Sequence, residues 1–150
     1  MSLLPILLLF GVLMIVTVQG YANYYVTPAR KGRRYHVSKY HEPFNLAKMN
    51  GLCKKLGGYL VQIDDRTEFY DVSNAVSDAR GHGPFYTGLT DEGSEGRFYN
   101  YNDKSPAKDL KWRWWQPDNW WGEHCVEIWR NGLNDLACGK HGRYICEVPV

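Results

Sequence analysis

The sequence predicts an α+β domain made of two helices, small antiparallel sheets and one long ordered loop. Strand-like and helix-like patterns alternate through the first half of the chain, and short strands dominate the second half. Within that second half, residues 102–124 show no periodicity. A connection of this length in a compact domain is usually functional or disordered, and its tryptophans argue against disorder. The 150 residues suffice for one domain.

The N-terminal segment "MSLLPILLLFGVLMIVTVQG" differs in composition from the rest of the chain. It is apolar over residues 3–18 and has small residues near a cleavage position before Tyr21, as a signal peptide does. Its apolar run is shorter than the roughly 20 residues that a membrane-spanning helix needs. We therefore predict secretion to the extracellular space, without membrane insertion after signal removal. The predicted organisation is a signal peptide (1–20), an N-terminal segment (21–34) and a domain (35–150).

The elements of the first half follow from residue spacing and from capping signals. The first strand is "YHVS", which begins at Tyr35. A helix follows in "EPFNLAKMNGLCKKLGG", where Pro43 suits the first turn and two glycines end the helix. Residues 59–63, "YLVQI", read as a short buried strand. The second helix follows Asp65 as its cap, with Glu68 three residues later.

The second half of the chain contributes strands separated by turn residues. These strands are "FYTGL" (85–89), "RFYNY" (97–101) and "CVEIW" (125–129). A turn at "RNG" follows, and "GRYICEV" (142–148) is the closing strand. The irregular residues 102–124 are therefore the long loop of the predicted fold.

Charge and cysteine content limit the classes of partner. Eighteen basic and 16 acidic residues give a net charge of +2, which does not favour a nucleic-acid partner. In a secreted chain an even number of cysteines predicts disulfides, and spacing alone leaves three pairings open. Because two disulfides would use all of them, we expect no disulfide-linked dimer. The four cysteines are Cys53, Cys125, Cys138 and Cys146.

Oxygen-bearing side chains are concentrated in the long loop and shortly after it. They are Gln116, Asp118, Glu123, Asn134 and Asp135. Carboxylates and amides without thiolates or paired imidazoles suit a hard cation, and Ca²⁺ accepts about 6 to 8 oxygens in loose geometry. We therefore predict that these five residues bind Ca²⁺. Because the carboxylates repel one another when no cation is present, we expect the loop to loosen without it.

Five side chains do not fill the coordination shell of Ca²⁺, so waters or a ligand must complete it. A vicinal diol fits, because its hydroxyls can bind the ion and also hydrogen-bond the side chains that coordinate it. An adjacent tryptophan would stack on the apolar face of a sugar ring. The predicted carbohydrate-binding residues are therefore Gln116, Asp118, Trp120, Glu123 and Asn134.

The other tryptophans have a more ordinary interpretation. In a secreted domain tryptophans are usually core residues. We predict core or loop packing for Trp112, Trp114, Trp115 and Trp129. For Trp120 and Trp121 both roles stay open, because both lie between candidate ligands.

Several motifs resemble the C-type lectin domain family over about residues 35–148. They are "LCKKLGGYLVQI", "YTGL" in place of the family's Trp-Ile-Gly-Leu, "QPD", "GEHCVEI", "ND" at residues 134–135, and the last cysteine in "YICEV". The resemblance implies the C-type lectin-like fold in its short form and a cis peptide bond before Pro117. It also implies the disulfide pairs Cys53–Cys146 and Cys125–Cys138. The chain departs from the family in a shorter stretch between Asp118 and Glu123 and in Leu133, which stands in place of a tryptophan.

The resemblance also implies a function. In relatives the order Gln-Pro-Asp goes with galactose and N-acetylgalactosamine, and a tryptophan in the place of Trp120 stacks on such sugars. We expect a secreted, calcium-dependent lectin that binds galactose-type glycans on microbial or cell surfaces, in innate immune recognition or agglutination. Because binding at one site would be weak, useful avidity would come from a non-covalent homo-oligomer or from repeated glycans.

The two alternatives to a lectin are a structural or protein-interaction protein and an enzyme. A structural or protein-interaction member of the same fold, for example a mineral-associated one, would have weak or no sugar binding. An enzyme would need a catalytic arrangement, and His124 beside Glu123 belongs to no metal-protease or nucleophile-elbow motif. We therefore expect no catalytic residues.

Overall fold

The computed structural model describes residues 23–79 and 83–150, and it has the predicted α+β architecture. The predicted signal peptide lies outside these residues. No helix in the described part of the chain is long and apolar enough to span a membrane. The helices are α1 (Leu46–Lys55) and α2 (Arg66–Asp78). The strands are β1 (Tyr24–Val26), β2 (Arg33–Ser38), β3 (Glu42–Pro43), β4 (Tyr59–Leu60), β5 (Phe85–Thr90), β6 (Tyr99–Asn100), β7 (Cys125–Trp129), β8 (Gly132–Leu136) and β9 (His141–Pro149).

The long C-terminal strand β9 organises the sheet. The strand order is β1-β2-β9-β5-β7-β8, with β3 and β4 also paired to β9 and β6 paired to β5. The β2–β9 pairing is antiparallel and the β5–β9 pairing is parallel. The strands β1 and β2 therefore lie on one side of β9, whereas β7 and β8 form the other edge of the sheet, where the long loop returns.

The core of the described chain consists of two clusters of buried side chains. One centres on Val37, Phe69 and Val126, all fully buried, together with other residues of α2 and the strands. The other contains the Cys53–Cys146 disulfide, Cys125, and the rings of Phe44 and Tyr86, which stack with centroids 3.9 Å apart. Burial of these apolar side chains is the main favourable contribution to folding.

Both predicted helices form, but the first begins later than expected. The Asn45 side chain accepts a hydrogen bond from the Lys48 backbone N–H at 2.8 Å and caps α1. Pro43 is therefore not in the first turn of α1; it lies in β3 opposite His141. The better cap two residues downstream sets the start of the helix. Helix α2 begins after Asp65, as predicted.

Three strands were not predicted from the sequence, and one of them is the short β3, which pairs with β9. Strand β1 lies in the segment before Tyr35 and pairs with β2. Strand β8 contains Asn134 and Asp135, whose polar side chains hid its pattern, and it pairs with β7 through five residue pairs. Conversely, only residues Tyr59–Leu60 of the predicted strand 59–63 are regular, although Val61 N still donates to Ile145 O at 2.9 Å.

The prediction of two disulfides is confirmed. Cys53–Cys146 joins α1 to β9 across 93 residues of sequence, and Cys125–Cys138 links the start of β7 to the segment after β8 across 13 residues. No free cysteine occurs among the described residues.

Candidate functional site

The first half of the long loop lies alongside β8. Arg113 N donates to Leu133 O at 2.9 Å, and Leu133 N donates to Lys111 O at 2.7 Å. Gly132 makes this close approach feasible, because a Cβ atom there would lie 2.6 Å from Arg113 N. The loop is thus fixed to the strand that carries Asn134.

Asp135 connects the tip of the loop to β8. Its carboxylate is buried, with 1% of the residue exposed. Its Oδ1 accepts the backbone N–H of Asp118 at 3.1 Å, and its Oδ2 accepts that of Asn119 at 2.8 Å. Charge-assisted hydrogen bonds of this kind are about twice as strong as neutral ones. The two separated segments that carry the predicted ligands therefore meet here.

Three of the predicted ligands form a compact group of carboxylates. One oxygen each from Asp118, Glu123 and Asp135 lies within 4.8 Å of the others. Burial raises the pKa of Glu123, and the neighbouring charges of Asp135 and Asp118 raise it further. Three carboxylates this close repel one another when ionised. A bound cation would remove that repulsion.

Gln116 reaches the same group from the other side of Pro117. The Gln116–Pro117 peptide bond is cis, as the family resemblance implies. The Gln116 Nε2 donates to Asp118 Oδ2 at 3.1 Å. Its Oε1 is buried and has no hydrogen-bond partner among the described residues. A buried acceptor left without a partner costs about 1–3 kcal/mol, which a cation or a ligand donor would offset.

Asn134 is oriented by Glu127, a residue that we did not select from the sequence. The Asn134 Nδ2 donates to Glu127 Oε1 and to Asp135 O, both at 2.9 Å. With both amide hydrogens used, the Asn134 Oδ1 is left as the atom available to a ligand. The signal in the sequence was strand alternation, because Cys125, Glu127 and Trp129 share one face of β7.

These residues line a cleft of about 480 Å³ at the edge of the sheet. Its walls include Gln116, Asp118, Trp120, Glu123, Glu127 and Trp129. All five predicted metal ligands and the predicted stacking residue Trp120 face this one cleft. The fold therefore brings together the residues that were predicted from the sequence.

The predicted packing roles of the tryptophans hold only in part. Trp112 packs against Phe98, with ring centroids 4.7 Å apart. Trp129 is 42% exposed and lies under the Arg113 guanidinium, 4.9 Å from its ring centroid. For Trp114 and Trp115 the prediction of core or loop packing was wrong, because 88% and 86% of these residues are exposed. Trp112 already fills the apolar space beneath the loop, so the next two tryptophans project into solvent.

A second group of possible ligands lies where the loop joins β7. The His124 Nδ1 lies 3.0 Å from Asp91 Oδ1 and 3.6 Å from Glu95 Oε2. The Asp91 Oδ2 also accepts the backbone N–H of Gly96 at 2.8 Å. Thr90 adds a hydrogen bond from its hydroxyl to His124 O at 2.6 Å. These contacts fix the end of the long loop against the segment that follows β5.

Comparison with known proteins agrees with this geometry. The chain is 28% identical to the hepatic lectin of Gallus gallus over 80% of this chain and 56% of that protein, so it spans little more than half of that relative. It is 27% identical to C-type lectin 37Db of Drosophila melanogaster over 78% of this chain and 84% of the relative. The carbohydrate-recognition domain of the mouse scavenger receptor C-type lectin superimposes with a TM-score of 0.70 at 26% identity, covering 85% of this chain and 94% of that domain. The family described as "Lectin C-type domain" matches residues 42–148, and the chain therefore belongs to the C-type lectin domain family.

Proposed function

We propose that this protein is a secreted, non-catalytic lectin that binds galactose-type glycans through a calcium ion in the cleft. The observation that carries the proposal is the meeting of Asp118, Glu123 and Asp135, which come from two separate segments, within 4.8 Å. Membership of a carbohydrate-binding family supports a sugar as the partner. Secretion rests on the apolar N-terminal segment and agrees with the two disulfides.

The residues of the cleft fit calcium in both charge and chemistry. Three carboxylates and the amide oxygens of Gln116 and Asn134 make an all-oxygen donor set, which Ca²⁺ prefers over thiolate or imidazole sites. The unpartnered Gln116 Oε1 and the free Asn134 Oδ1 are acceptor atoms that a cation can use. When bound, calcium supplies coordination positions that sugar hydroxyls can fill.

The same side chains can then bind the sugar directly. The Gln116 amide can donate to a hydroxyl, whereas the Asp118 carboxylate can only accept from one. Trp120 is 69% exposed beside these groups and offers a flat apolar surface for the C–H face of the ring. This arrangement of donor, acceptor and ring supports a preference for galactose and N-acetylgalactosamine.

The direct test is retention of the chain on immobilised galactose in the presence of calcium. We expect retention with Ca²⁺ and release by a chelator, together with a higher melting temperature when Ca²⁺ is present. No retention would contradict the proposal. Retention that ignores the chelator would favour a structural or protein-interaction role for the same fold.

Substitution of Asp118 tests the assignment of the ligands. We expect Asp118→Ala to abolish retention, because it removes one of the three clustered carboxylates. Asp109→Ala is the matched control, since Asp109 is an exposed carboxylate of the same loop that pairs with Arg66 at 3.0 Å. Calcium-dependent retention of Asp118→Ala would refute the assignment.

A paired exchange tests sugar selectivity. Gln116→Glu combined with Asp118→Asn reverses which side of the site donates and which accepts. We expect preference to move from galactose to mannose, measured by competition with the two free sugars. An unchanged preference would mean that these two residues do not set selectivity.

A further inference from the structure

Four tryptophans near the cleft are exposed to an extent that packing does not explain. The exposed fractions are 88% for Trp114, 86% for Trp115, 69% for Trp120 and 88% for Trp121. Tryptophan is highly buried on average in folded proteins, and exposed apolar area costs free energy in water. Of these four tryptophans, Trp120 alone lines the cleft. We refer to the other three, Trp114, Trp115 and Trp121, as the tryptophan rim.

The backbone of the tryptophan rim is also unusual. Trp115 has φ 64° and Trp121 has φ 59°, both in the left-handed region that bulky residues avoid. Such conformations cost free energy that the surroundings must offset, and they cluster at functional sites. The rings of Trp114 and Trp115 contact each other edge to face, with centroids 6.4 Å apart. Glycine would fit both left-handed positions more easily, so the tryptophan side chains need another explanation.

The tryptophan rim is continuous with the proposed sugar site. Trp114 and Trp115 directly precede Gln116, and Trp121 directly follows Trp120. Along the chain, polar groups that can bind hydroxyls, including the Asp118 carboxylate, therefore lie between the exposed tryptophans. Alternating flat apolar and polar surfaces match an oligosaccharide, whose rings present apolar C–H faces and hydroxyl edges.

We propose that the tryptophan rim binds the sugar residues next to the one held in the cleft, so that the preferred ligand is an oligosaccharide chain. This inference rests on the proposed function and adds the length of the ligand to it. Each sugar ring that stacks on a tryptophan would add to the affinity. The affinity of the protein would therefore rise with the length of the oligosaccharide until its rings cover the tryptophan rim.

Two other occupants fit the surface less well. Even with Ca²⁺ bound, the three carboxylates of Asp118, Glu123 and Asp135 would leave a net charge of about −1 at the site, and an anionic lipid surface would be repelled by it. A second copy in a two-fold dimer would bring the same carboxylates from both copies to one interface. A neutral sugar chain carries no such penalty.

The experiment compares galactose with galacto-oligosaccharides of increasing length by calorimetry in Ca²⁺. For the wild-type chain we expect affinity for the longer oligosaccharides to exceed that for galactose by about tenfold, which corresponds to about 1.4 kcal/mol. The double variant Trp114→Ala/Trp115→Ala and the variant Trp121→Ala should lose most of this gain while galactose affinity stays unchanged. Tyr40→Ala, at a 61% exposed aromatic residue outside the loop, is the matched control and should keep the gain.

Glycine variants separate ligand binding from a structural role. Trp115→Gly and Trp121→Gly relieve the left-handed backbone, so their melting temperatures should hold or rise while oligosaccharide affinity falls. A fall in melting temperature with unchanged oligosaccharide affinity would assign the rim to structure and overturn the inference.

The remaining outcomes distinguish this inference from the proposed function. Calcium-dependent galactose binding without any gain for longer oligosaccharides would overturn the inference alone. Binding to vesicles of anionic lipid, or a dimer that dissociates in the tryptophan variants, would also overturn it by giving the rim another occupant. If none of these sugars bound in a calcium-dependent way, both the inference and the proposed function would be overturned.

Discussion

Asn134 shows how a neighbouring carboxylate fixes the role of a candidate ligand. Its amide hydrogens are both used, one by Glu127 Oε1 and one by Asp135 O. Glu127 is buried, which raises the pKa of its carboxyl group. Its hydrogen bond to Asn134 is therefore shielded from water. Partners that orient the ligands of a metal site commonly change metal affinity by 10- to 100-fold when removed. Glu127 is therefore a positioning residue for the proposed calcium site.

Removal of the Glu127 carboxylate should weaken calcium binding without abolishing the fold. We expect Glu127→Ala to lower calcium affinity by about tenfold, because Asn134 would lose the partner that fixes its amide. Glu127→Gln keeps an acceptor oxygen and should stay closer to wild type. Calcium titration by calorimetry measures both, with near-ultraviolet circular dichroism as the check on folding. Wild-type affinity in Glu127→Ala would show that Asn134 needs no such support.

At the scale of single residues, the sequence predicted which side chains could be ligands better than it predicted which side chains would be exposed. Oxygen-rich side chains in an irregular segment could be selected as ligands from residue type alone, and they face one cleft. The exposure of Trp115 could not be predicted, because it depends on a left-handed backbone angle and on Trp112 filling the space below. Glu127 was missed because an acidic residue in a strand is ordinarily assigned to the solvent face.

Helix α2 is tied to the sheet by a buried carboxylate at its first turn. The Glu68 Oε2 accepts the Asp64 backbone N–H at 3.1 Å, and its other oxygen pairs with the Arg33 guanidinium of β2. Arg33 also pairs with Glu147 of β9 at 2.8 Å. Burial raises the pKa of Glu68 to about 7, and the nearby Glu147 charge raises it as well.

This elevated pKa makes the stability of the fold depend on pH. The ordinary pKa of Glu68 is 4.5, so between that value and about 7 the folded chain holds a proton that the unfolded chain has lost. The stabilisation is complete below pH 4.5 and is lost as pH rises through about 7. We expect the free energy of unfolding to fall by on the order of 3 kcal/mol across this window from Glu68 alone.

Glu68→Gln should flatten that dependence. Denaturant unfolding of wild type and variant across the window measures the difference, which isolates Glu68 from Glu147 and other groups. Glu42→Gln is the control, since Glu42 lies in β3 and pairs with the exposed Lys48 at 3.4 Å. Equal slopes in wild type and Glu68→Gln would contradict the prediction.

The elements that the sequence predicted correctly carry local signals. Helix α2 has its cap at Asp65, as predicted, and buries Phe69 and Val72 in the core. Strand β8 had no such signal, because its middle residues are the polar pair Asn134 and Asp135 that serve the site. Pairing with β7 stabilises β8 through contacts that are local in space but invisible in the strand's own pattern.

At the scale of the whole molecule, the two disulfides have different roles, one in overall stability and one at the candidate site. Cys53–Cys146 joins α1 to the central strand β9, where both cysteines are fully buried in the core. Cys125–Cys138 closes only the β7–β8 hairpin, whose strands carry Glu127 and Asp135. The first bond therefore constrains the overall fold, whereas the second constrains the edge of the sheet where the cleft lies.

Removal of each bond should consequently have a different effect. The chain-entropy relation gives a loss of about 4.6 kcal/mol for the bond that spans 93 residues and about 2.9 kcal/mol for the one that spans 13. We expect Cys53→Ala/Cys146→Ala to lower the free energy of unfolding more, because it frees the longer loop. Cys125→Ala/Cys138→Ala should be the milder change in stability but the larger change in calcium affinity of the folded protein, because β7 and β8 hold the ligands in place. Denaturant unfolding and calcium titration of the two variants test this together. If both variants lost stability equally and kept wild-type calcium affinity, the site would not depend on the sheet edge that supports it.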